Sequence, residues 1–163
     1  MDCANFVFHH PRGRIYGHLS EIGVQRLRLP QTPSDRVYLL HSEANIVQGK
    51  KLREALERYF AGVAVDFADI ALDLSGATAF RLRVWKSLRK VRWGQTATYG
   101  DLAELSGYRS KSARAVGGAV GANSVPIIIP CHRVLPASGG LGGFSAGLDW
   151  KRELLRIEGH VFP

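Results

Sequence analysis

Cysteine is scarce in this sequence, and long apolar runs are absent from it. Cys3 and Cys131 are the only cysteines among 163 residues, which excludes the dense disulfide framework of small secreted domains. No apolar run approaches the ~20 residues of a membrane-spanning helix, and the first residues lack the basic flank and apolar core of a secretory signal. We therefore expect a cytoplasmic protein that does not contact membranes.

Acidic residues are scarce in the second half of the chain. Residues 76–163 contain thirteen Lys/Arg but only five Asp/Glu, whereas residues 1–75 contain nine of each. The net charge of +8 therefore comes entirely from the second half. This asymmetry predicts that the second half meets a polyanion such as nucleic acid, although a solvated basic surface without a partner has the same composition.

The first half has the pattern of a small antiparallel sheet followed by one helix. Short β-leaning runs lie at 5–9, 15–19, 24–29 and 37–40, and turn sequences between the first three predict two consecutive hairpins. From Ala44 the apolar spacing becomes helical, and Gly62 closes the predicted helix. Its predicted apolar face consists of Ile46, Leu52, Leu56, Tyr59 and Phe60. The predicted domain boundary is Ser75–Gly76.

Cys3 and three histidines (His9, His10 and His18) are the one group in the first half that suggests a metal. Their spacing matches no standard zinc pattern, and a single cysteine is weak support for zinc. We therefore expect no metal site.

The second half is predicted to be mostly helical, which makes the fold class α+β. An apolar stripe from Phe80 to Val91 predicts a helix that is capped by Thr78 and ends near Trp93–Gly94. Two short helices are predicted at 98–107 and 112–120, and a final amphipathic helix at 149–157.

The two short helices have the outline of a helix-turn-helix, although an ordinary helical hairpin has the same outline. The second helix carries Arg114 among small residues: Ala113, Ala115, Gly117, Gly118 and Ala119. Glycine pairs cost helix stability, and close approach to a DNA backbone would compensate. With one arginine to reach the bases, the helix favours binding with little sequence preference, in the minor groove.

Cys131 stands between an apolar run and two residues that can be cationic. Ile127–Ile129 and Pro130 precede it, and Pro130 ends regular strand pairing. His132 and Arg133 follow, and cationic neighbours lower a thiol pKa and supply a thiolate nucleophile. A cysteine after an apolar run is also common as a small core residue, so these residues leave both interpretations open. The glycine-rich loop 139–147 is a candidate pocket wall.

Four motifs in the second half belong together: Pro130-Cys131-His132-Arg133-Val134, Arg114-Ala115-Val116-Gly117-Gly118-Ala119, Asn123 with Val125-Pro126-Ile127, and Glu158-Gly159. With these motifs the chain resembles the O6-alkylguanine-DNA alkyltransferases, also called methylated-DNA–protein-cysteine methyltransferases. The resemblance extends from about Phe80 to His160, and the first half is compatible with the family's N-terminal domain.

The resemblance implies a role for each matching residue. Cys131 would accept the alkyl group, His132 would take its proton through a water, and Glu158 would hold the imidazole. Asn123 would brace this network, and Tyr99 would donate a hydrogen bond or proton to the guanine ring. Val134 and Tyr99 would line the base pocket, and Ser145 would contact the O6 side of the base. Arg114 would replace the flipped nucleotide, with Ala115, Gly117, Gly118 and Tyr99 at the DNA.

The implied reaction is a single, irreversible alkyl transfer that uses no cofactor. The partner would be double-stranded DNA that contains O6-alkylguanine, with O4-alkylthymine as a further candidate, and the protein would act as a monomer. Phe144 stands where several relatives have Tyr, which leaves the substrate range open. With one cysteine in its first half, the chain is expected to lack the zinc site of some relatives.

Three alternatives remain at this stage. A non-enzymatic helix-turn-helix protein that binds alkyl lesions would have the same architecture, but such relatives carry Trp in place of the reactive cysteine. A regulator that reads a specific operator is disfavoured by the small residues of the second helix. A Cys–His hydrolase would leave the basic half unexplained.

Overall fold

The computed structural model describes residues 3–30, 38–39 and 43–162. The chain forms two compact units that divide between Ser75 and Gly76. Within the described ranges, no helix combines the length and the apolar character that crossing a membrane requires.

The first unit contains a three-stranded antiparallel sheet with the order β2-β3-β4, which confirms the two predicted hairpins. Its strands are β2 (Phe6–His10), β3 (Gly13–Leu19) and β4 (Val24–Arg28). A short parallel pair joins β1 (Cys3–Ala4) to β5 (Tyr38–Leu39). The predicted strand 37–40 is thus present at 38–39, and its two end residues lie outside the described ranges.

Helix α1 (Glu43–Phe60) follows in the first unit. Leu52, Leu56 and Tyr59 are fully buried, as the helical pattern predicts. The prediction for Ile46 is wrong, because its side chain is 66% exposed. At 3.6 residues per turn, a residue six positions before Leu52 lies roughly 120° away from it around the helix axis, outside the apolar face.

The second unit contains four helices, which are α2 (Ala79–Leu88), α3 (Tyr99–Leu105), α4 (Ala113–Gly121) and α5 (Leu148–Ile157). Thr78 caps α2 by accepting a hydrogen bond from the Arg81 amide, as predicted. Helix α2 ends at Leu88, earlier than predicted, because the amides of Lys90 and Val91 turn back to carbonyls three residues earlier.

Helices α3 and α4 form the predicted helix-turn-helix outline. Thr98 and Asp101 form a capping box at the start of α3. Gly107 ends this helix with a φ of +81°, a conformation that favours glycine. Helix α2 supports both helices, because the Trp85 indole donates to the Ala119 carbonyl at 2.8 Å and the Ser87 hydroxyl donates to the Leu105 carbonyl at 3.1 Å.

A parallel pair of two-residue strands brings together the segments that carry Tyr99 and Cys131. β6 (Ala97–Thr98) pairs with β7 (Val134–Leu135), and Ala97 lies opposite Val134. Tyr99 directly follows β6, and the Cys131–Arg133 turn directly precedes β7. The pairing therefore brings Tyr99 to the same edge as Cys131, although 32 positions separate them in the sequence.

Candidate active site

Cys131 begins a single 3₁₀ turn, Cys131–Arg133, at the end of a buried apolar segment. Ile127, Ile128 and Ile129 are all buried. The Arg133 amide donates to the Pro130 carbonyl at 3.0 Å and closes the turn. Cys131 itself is 5% exposed, so the sulfur lies at the inner edge of the core, as the sequence predicts.

Asn123 connects this turn to the loop that precedes it. Its side-chain nitrogen donates to the Cys131 sulfur at 3.0 Å and to the Ile129 carbonyl at 2.8 Å. Its side-chain oxygen accepts from the Val125 amide at 2.9 Å, which fixes the orientation of the side-chain amide. Asn123 therefore lies where the resemblance implies, between the loop and the sulfur.

The protonation state of Cys131 differs from the sequence-based expectation. Burial raises the pKa of its thiol from an ordinary 9.0 to about 11, although the Asn123 hydrogen bond and the Lys151 charge act to lower it. The predicted lowering by His132 and Arg133 is wrong, because the guanidinium is paired with Glu158 and the imidazole is neutral. In the free protein, the sulfur is therefore a thiol at neutral pH.

Glu158 binds His132 and Arg133 together. One carboxylate oxygen lies 2.7 Å from His132 Nε2 and 2.9 Å from Arg133 Nη2, and the other lies 2.8 Å from Arg133 Nε. Burial acts to raise the pKa of Glu158, but the hydrogen bonds from His132 and Arg133 and the positive charge of Arg133 outweigh it and hold the pKa at about 2. Glu158 is therefore an anion across the physiological range.

The tautomer of His132 follows from this pairing. Burial lowers the pKa of His132, and the positive charges of Arg133 and Lys151 lower it further, against the opposing effect of Glu158. A neutral imidazole that faces a carboxylate through Nε2 carries its proton there, because the carboxylate only accepts. The buried Nδ1 is then the basic nitrogen, and it is the atom that can receive a proton.

The sequence analysis did not predict that Arg133 pairs with Glu158, and it assigned no role to Lys151. Arg133 also donates to the Val91 carbonyl at 2.6 Å, which links the site to the segment after α2. Lys151 donates through Nζ to the carbonyls of Val134 at 2.7 Å and Gly143 at 3.2 Å. Lys151 thus joins the Cys131 segment to the glycine-rich loop.

Burial lowers the pKa of Lys151 to about 8, against the opposing effect of Cys131. The burial of Lys151 could have been predicted from its position in the sequence. Lys151 precedes Leu154, Leu155 and Glu158 by three, four and seven positions, a spacing that places it on the buried face of the helix.

Tyr99 lies between the second helix of the helix-turn-helix and the glycine-rich loop. A Cβ placed on Gly117 would be 3.6 Å from its ring, and one placed on Gly142 would be 3.9 Å from its hydroxyl. Burial and the nearby Cys131 raise the pKa of Tyr99. The phenol therefore keeps its proton at neutral pH, as a hydrogen-bond or proton donor must.

Arg114 is the one large side chain on the exposed face of α4. Arg114, Ala115 and Gly118 are exposed, whereas Val116, Ala119 and Val120 are buried. A Cβ on Gly118 would meet no atom within 4 Å, so packing inside the protein does not require glycine there. Gly117 faces Tyr99, but a Cβ there would make only ordinary van der Waals contact with that ring, so its approach to DNA stays a prediction.

The two remaining predicted base-contacting residues lie in different environments. Val134 is fully buried in β7, next to the Cys131 turn. Ser145 is exposed on the glycine-rich loop, whose Gly143 carbonyl is held by Lys151. Among the residues that the structure describes, no three His, Cys, Asp or Glu side chains are grouped so that they could hold a metal ion.

Comparisons with known proteins identify relatives along most of the chain. The family described as 6-O-methylguanine DNA methyltransferase, DNA binding domain, matches residues 79–160. The methylated-DNA–protein-cysteine methyltransferase of Metallosphaera sedula is 48% identical over 110 residues, which are 68% of this chain and 67% of that protein. The DNA base-flipping protein of Thermus thermophilus is 38% identical over 149 residues, 91% of this chain and 95% of that protein.

A solved structure extends this similarity to both units. The crystal structure of Mycobacterium tuberculosis OGT in complex with DNA has a TM-score of 0.79 at 33% identity and covers 94% of this chain and 91% of that chain. In the sequence comparisons, the chain spans about two thirds of the length of the curated methyltransferases it matches.

Proposed function

The chain belongs to the O6-methylguanine-DNA methyltransferase family, and on that premise we propose that it repairs O6-alkylguanine in duplex DNA. It transfers the alkyl group irreversibly to Cys131 after the damaged nucleotide has been flipped out of the helix. The protein acts once, as a monomer in the cytoplasm, where thiols stay reduced. O4-alkylthymine is a second candidate substrate, because its alkyl group is also bound to an aryl ether oxygen.

The polar arrangement around one buried sulfur is the observation that carries this proposal. A neutral histidine directly beside Cys131 turns one nitrogen to Glu158 at 2.7 Å, which leaves its other nitrogen as a base. Asn123 donates directly to the sulfur. A cysteine that served only as core filling would need neither a hydrogen-bond donor on its sulfur nor a carboxylate-paired imidazole beside it.

The reaction begins with the transfer of the thiol proton. With a pKa of about 11, Cys131 gives up its proton only when a base takes it during the reaction. His132 Nδ1 receives that proton through a water, and the Glu158 carboxylate stabilises the imidazolium that results. Arg133 holds Glu158 in place with two hydrogen bonds, so the carboxylate does not turn away.

The thiolate then displaces guanine from the alkyl carbon. The new bond joins sulfur to carbon as the bond from carbon to O6 breaks, and the electron pair of the broken bond goes to guanine. Tyr99 donates its proton, or a strong hydrogen bond, to the ring and neutralises the developing negative charge. The product is a thioether, which neither water nor a second thiol cleaves readily, so each molecule reacts once.

The helix-turn-helix gives the reaction access to a base that lies inside a stacked duplex. Flipping a nucleotide costs about a few kcal/mol. Arg114 projects from the otherwise small face of α4 and fills the vacated position in the stack. Ala115 and Gly118 let the helix lie against the DNA without steric obstruction, in the minor groove. Val134 and Ser145 complete the pocket for the flipped base.

A mass measurement tests the transfer directly. The protein is incubated with a duplex that contains O6-methylguanine, digested with trypsin and analysed by mass spectrometry. The peptide with Cys131 should gain the mass of one methyl group, and the matched undamaged duplex should leave it unchanged. An unmodified Cys131 after incubation with the damaged duplex would exclude the transferase activity.

Non-enzymatic lesion binding is the second candidate, because one relative that covers nearly the whole chain is named a DNA base-flipping protein. The same incubation separates the two candidates. A protein that only binds would retard the damaged duplex in a gel and leave the mass of its Cys131 peptide unchanged. The hydrogen bond from Asn123 to the sulfur favours the transferase.

A further inference from the structure

Helix α2 and the turn that closes it carry a row of cations that the proposed chemistry does not use. Arg83 and Lys86 are exposed three residues apart on α2, so they lie on one face of the helix. Lys90 is exposed in the turn, two residues after the helix ends. We call these three residues the basic row. Within the ranges that the structure describes, none of the three is part of an ion pair, and residues 76–100 contain no Asp or Glu.

The row continues onto the turn of the helix-turn-helix. The Arg83 guanidinium carbon lies 5.8 Å from the ring centroid of Tyr108, and the Phe80 ring lies 5.2 Å from the same ring. Tyr108 is followed in the turn by two more exposed cations, Arg109 and Lys111. The ring contacts therefore hold Arg83 beside the turn that carries Arg109 and Lys111, and Lys111 is three positions before Arg114 in the chain.

The row is unfavourable for the isolated protein. Like charges at i,i+3 destabilise a helix. Arg83 and Lys86 have this spacing within α2, Lys90 adds a third cation in the closing turn, and no acidic residue of this segment offsets the repulsion. A regular row of anions would remove that repulsion. From Arg83 to Lys90 the helix and its closing turn extend about 10 Å, and about three phosphates of one DNA strand, at roughly 3.4 Å of axial rise each, cover the same distance.

We propose that the basic row binds the phosphate backbone of the duplex beside the flipped nucleotide, and so extends the DNA contact beyond α4. This inference rests on the proposed function. Lys86 and Lys90 are flexible point charges that suit phosphates, and the guanidinium of Arg83 lies against the Tyr108 ring. The contribution of the row to binding is therefore independent of sequence and of damage, and it depends steeply on salt.

The test measures DNA affinity as a function of salt for two variants with the same change in charge. The variant Lys86→Gln/Lys90→Gln removes two cations from the row. The control Lys50→Gln/Lys51→Gln removes two exposed cations from α1. The probe is an undamaged duplex of about 30 base pairs, roughly three helical turns, and binding is followed by fluorescence anisotropy at several salt concentrations.

The row variant should bind more weakly at low salt. The slope of log Kd against log salt should fall by about 0.9 for each phosphate that the protein no longer neutralises, hence by about two. The control should keep the wild-type slope. Both variants should react with free O6-benzylguanine at the wild-type rate, which shows that they are folded and that the active site is intact.

A row variant with the wild-type slope would overturn the inference, and the row would then be a solvated face or a surface for some other partner. An equal decrease of the slope in both variants would also overturn it, because it would reflect net charge alone. Failure of the proposed function would appear differently, as an unmodified Cys131 in the wild-type protein. Binding to undamaged DNA does not depend on that transfer.

Discussion

The side-chain nitrogen of Asn123 lies 3.0 Å from the sulfur of Cys131 and donates a hydrogen bond to it. A donor aimed at sulfur stabilises the thiolate more than the thiol. Burial opposes it and is the larger effect, since the pKa of the thiol is raised to about 11. In the free protein Cys131 is thus an unreactive thiol, and Asn123 and Lys151 are the neighbouring side chains that favour its ionisation.

Replacement of Asn123 by aspartate tests that bond. Asn123→Asp keeps the shape of the side chain and the acceptor for the Val125 amide, but it removes the donor and places a negative charge beside the sulfur. The pKa of Cys131 should rise, and each unit of that rise should slow the reaction with free O6-benzylguanine about tenfold. A variant that unfolds at the wild-type temperature and reacts at the wild-type rate would show that the bond has no catalytic role.

The raised thiol pKa predicts a distinctive pH profile. Because the neutral thiol is unreactive, alkylation of Cys131 by iodoacetamide should accelerate about tenfold per pH unit above neutrality and level off only near pH 11. Free cysteine, measured in parallel, should level off near pH 9. Quantification of the modified Cys131 peptide by mass spectrometry separates it from Cys3. A plateau at pH 7 would mean that the sulfur is already ionised at rest.

Glu158 should contribute to stability in a pH-dependent way. Its pKa is lowered from 4.5 to about 2, so its contribution is complete above pH 4.5 and is lost as the pH falls toward 2. Glu158→Gln leaves Arg133 buried without its anion and should cost about 3 kcal/mol of unfolding free energy at pH 7. Urea unfolding at pH 7 and at about pH 3 measures both effects.

The matched control for that variant is Asp149→Asn, in the first turn of α5, which weakens an exposed pair with Arg152. It should change the unfolding free energy by less than about 1 kcal/mol. The difference between wild type and Glu158→Gln should shrink as the pH is lowered. A difference that stays constant down to pH 3 would contradict the lowered pKa.

Arg114 should matter for duplex DNA and not for a free base. Arg114→Ala should slow methyl transfer from a duplex about tenfold or more, because nothing then occupies the place of the flipped nucleotide and flipping costs a few kcal/mol. The rate with free O6-benzylguanine should stay unchanged. Arg152→Ala, which removes an exposed arginine of α5, is the control. Equal decreases of the rate on both substrates would assign Arg114 to the active site instead.

Local patterns predicted most of the elements, for reasons that the structure makes clear. The hairpins, the Thr78 cap and the two short helices predicted at 98–107 and 112–120 depend on residues that are neighbours in the chain. The predictions for Ile46 and for the end of α2 were wrong at the margins of elements. Near the start of α1, Ile46 is apolar but lies outside the helical spacing of the buried residues. At the end of α2, tight turns replace the last helical turn.

The active site was predictable as a set of residues but not as an electrostatic arrangement. The resemblance named Cys131, His132, Glu158 and Asn123, and the structure brings them together. It could not show that Arg133 pairs with Glu158, or that Lys151 is buried. Those facts depend on contacts between residues 17 to 42 positions apart.

The sequence by itself determined which chemical groups are present, where most of the helices and the strands of the three-stranded sheet form, and that positive charge is concentrated in the second unit. These properties depend on residue identity and on spacing over a few positions. Only the tertiary structure decided the charge on each group. The same cysteine is a thiolate or a thiol according to how much water and how many charges surround it, and folding alone sets that environment.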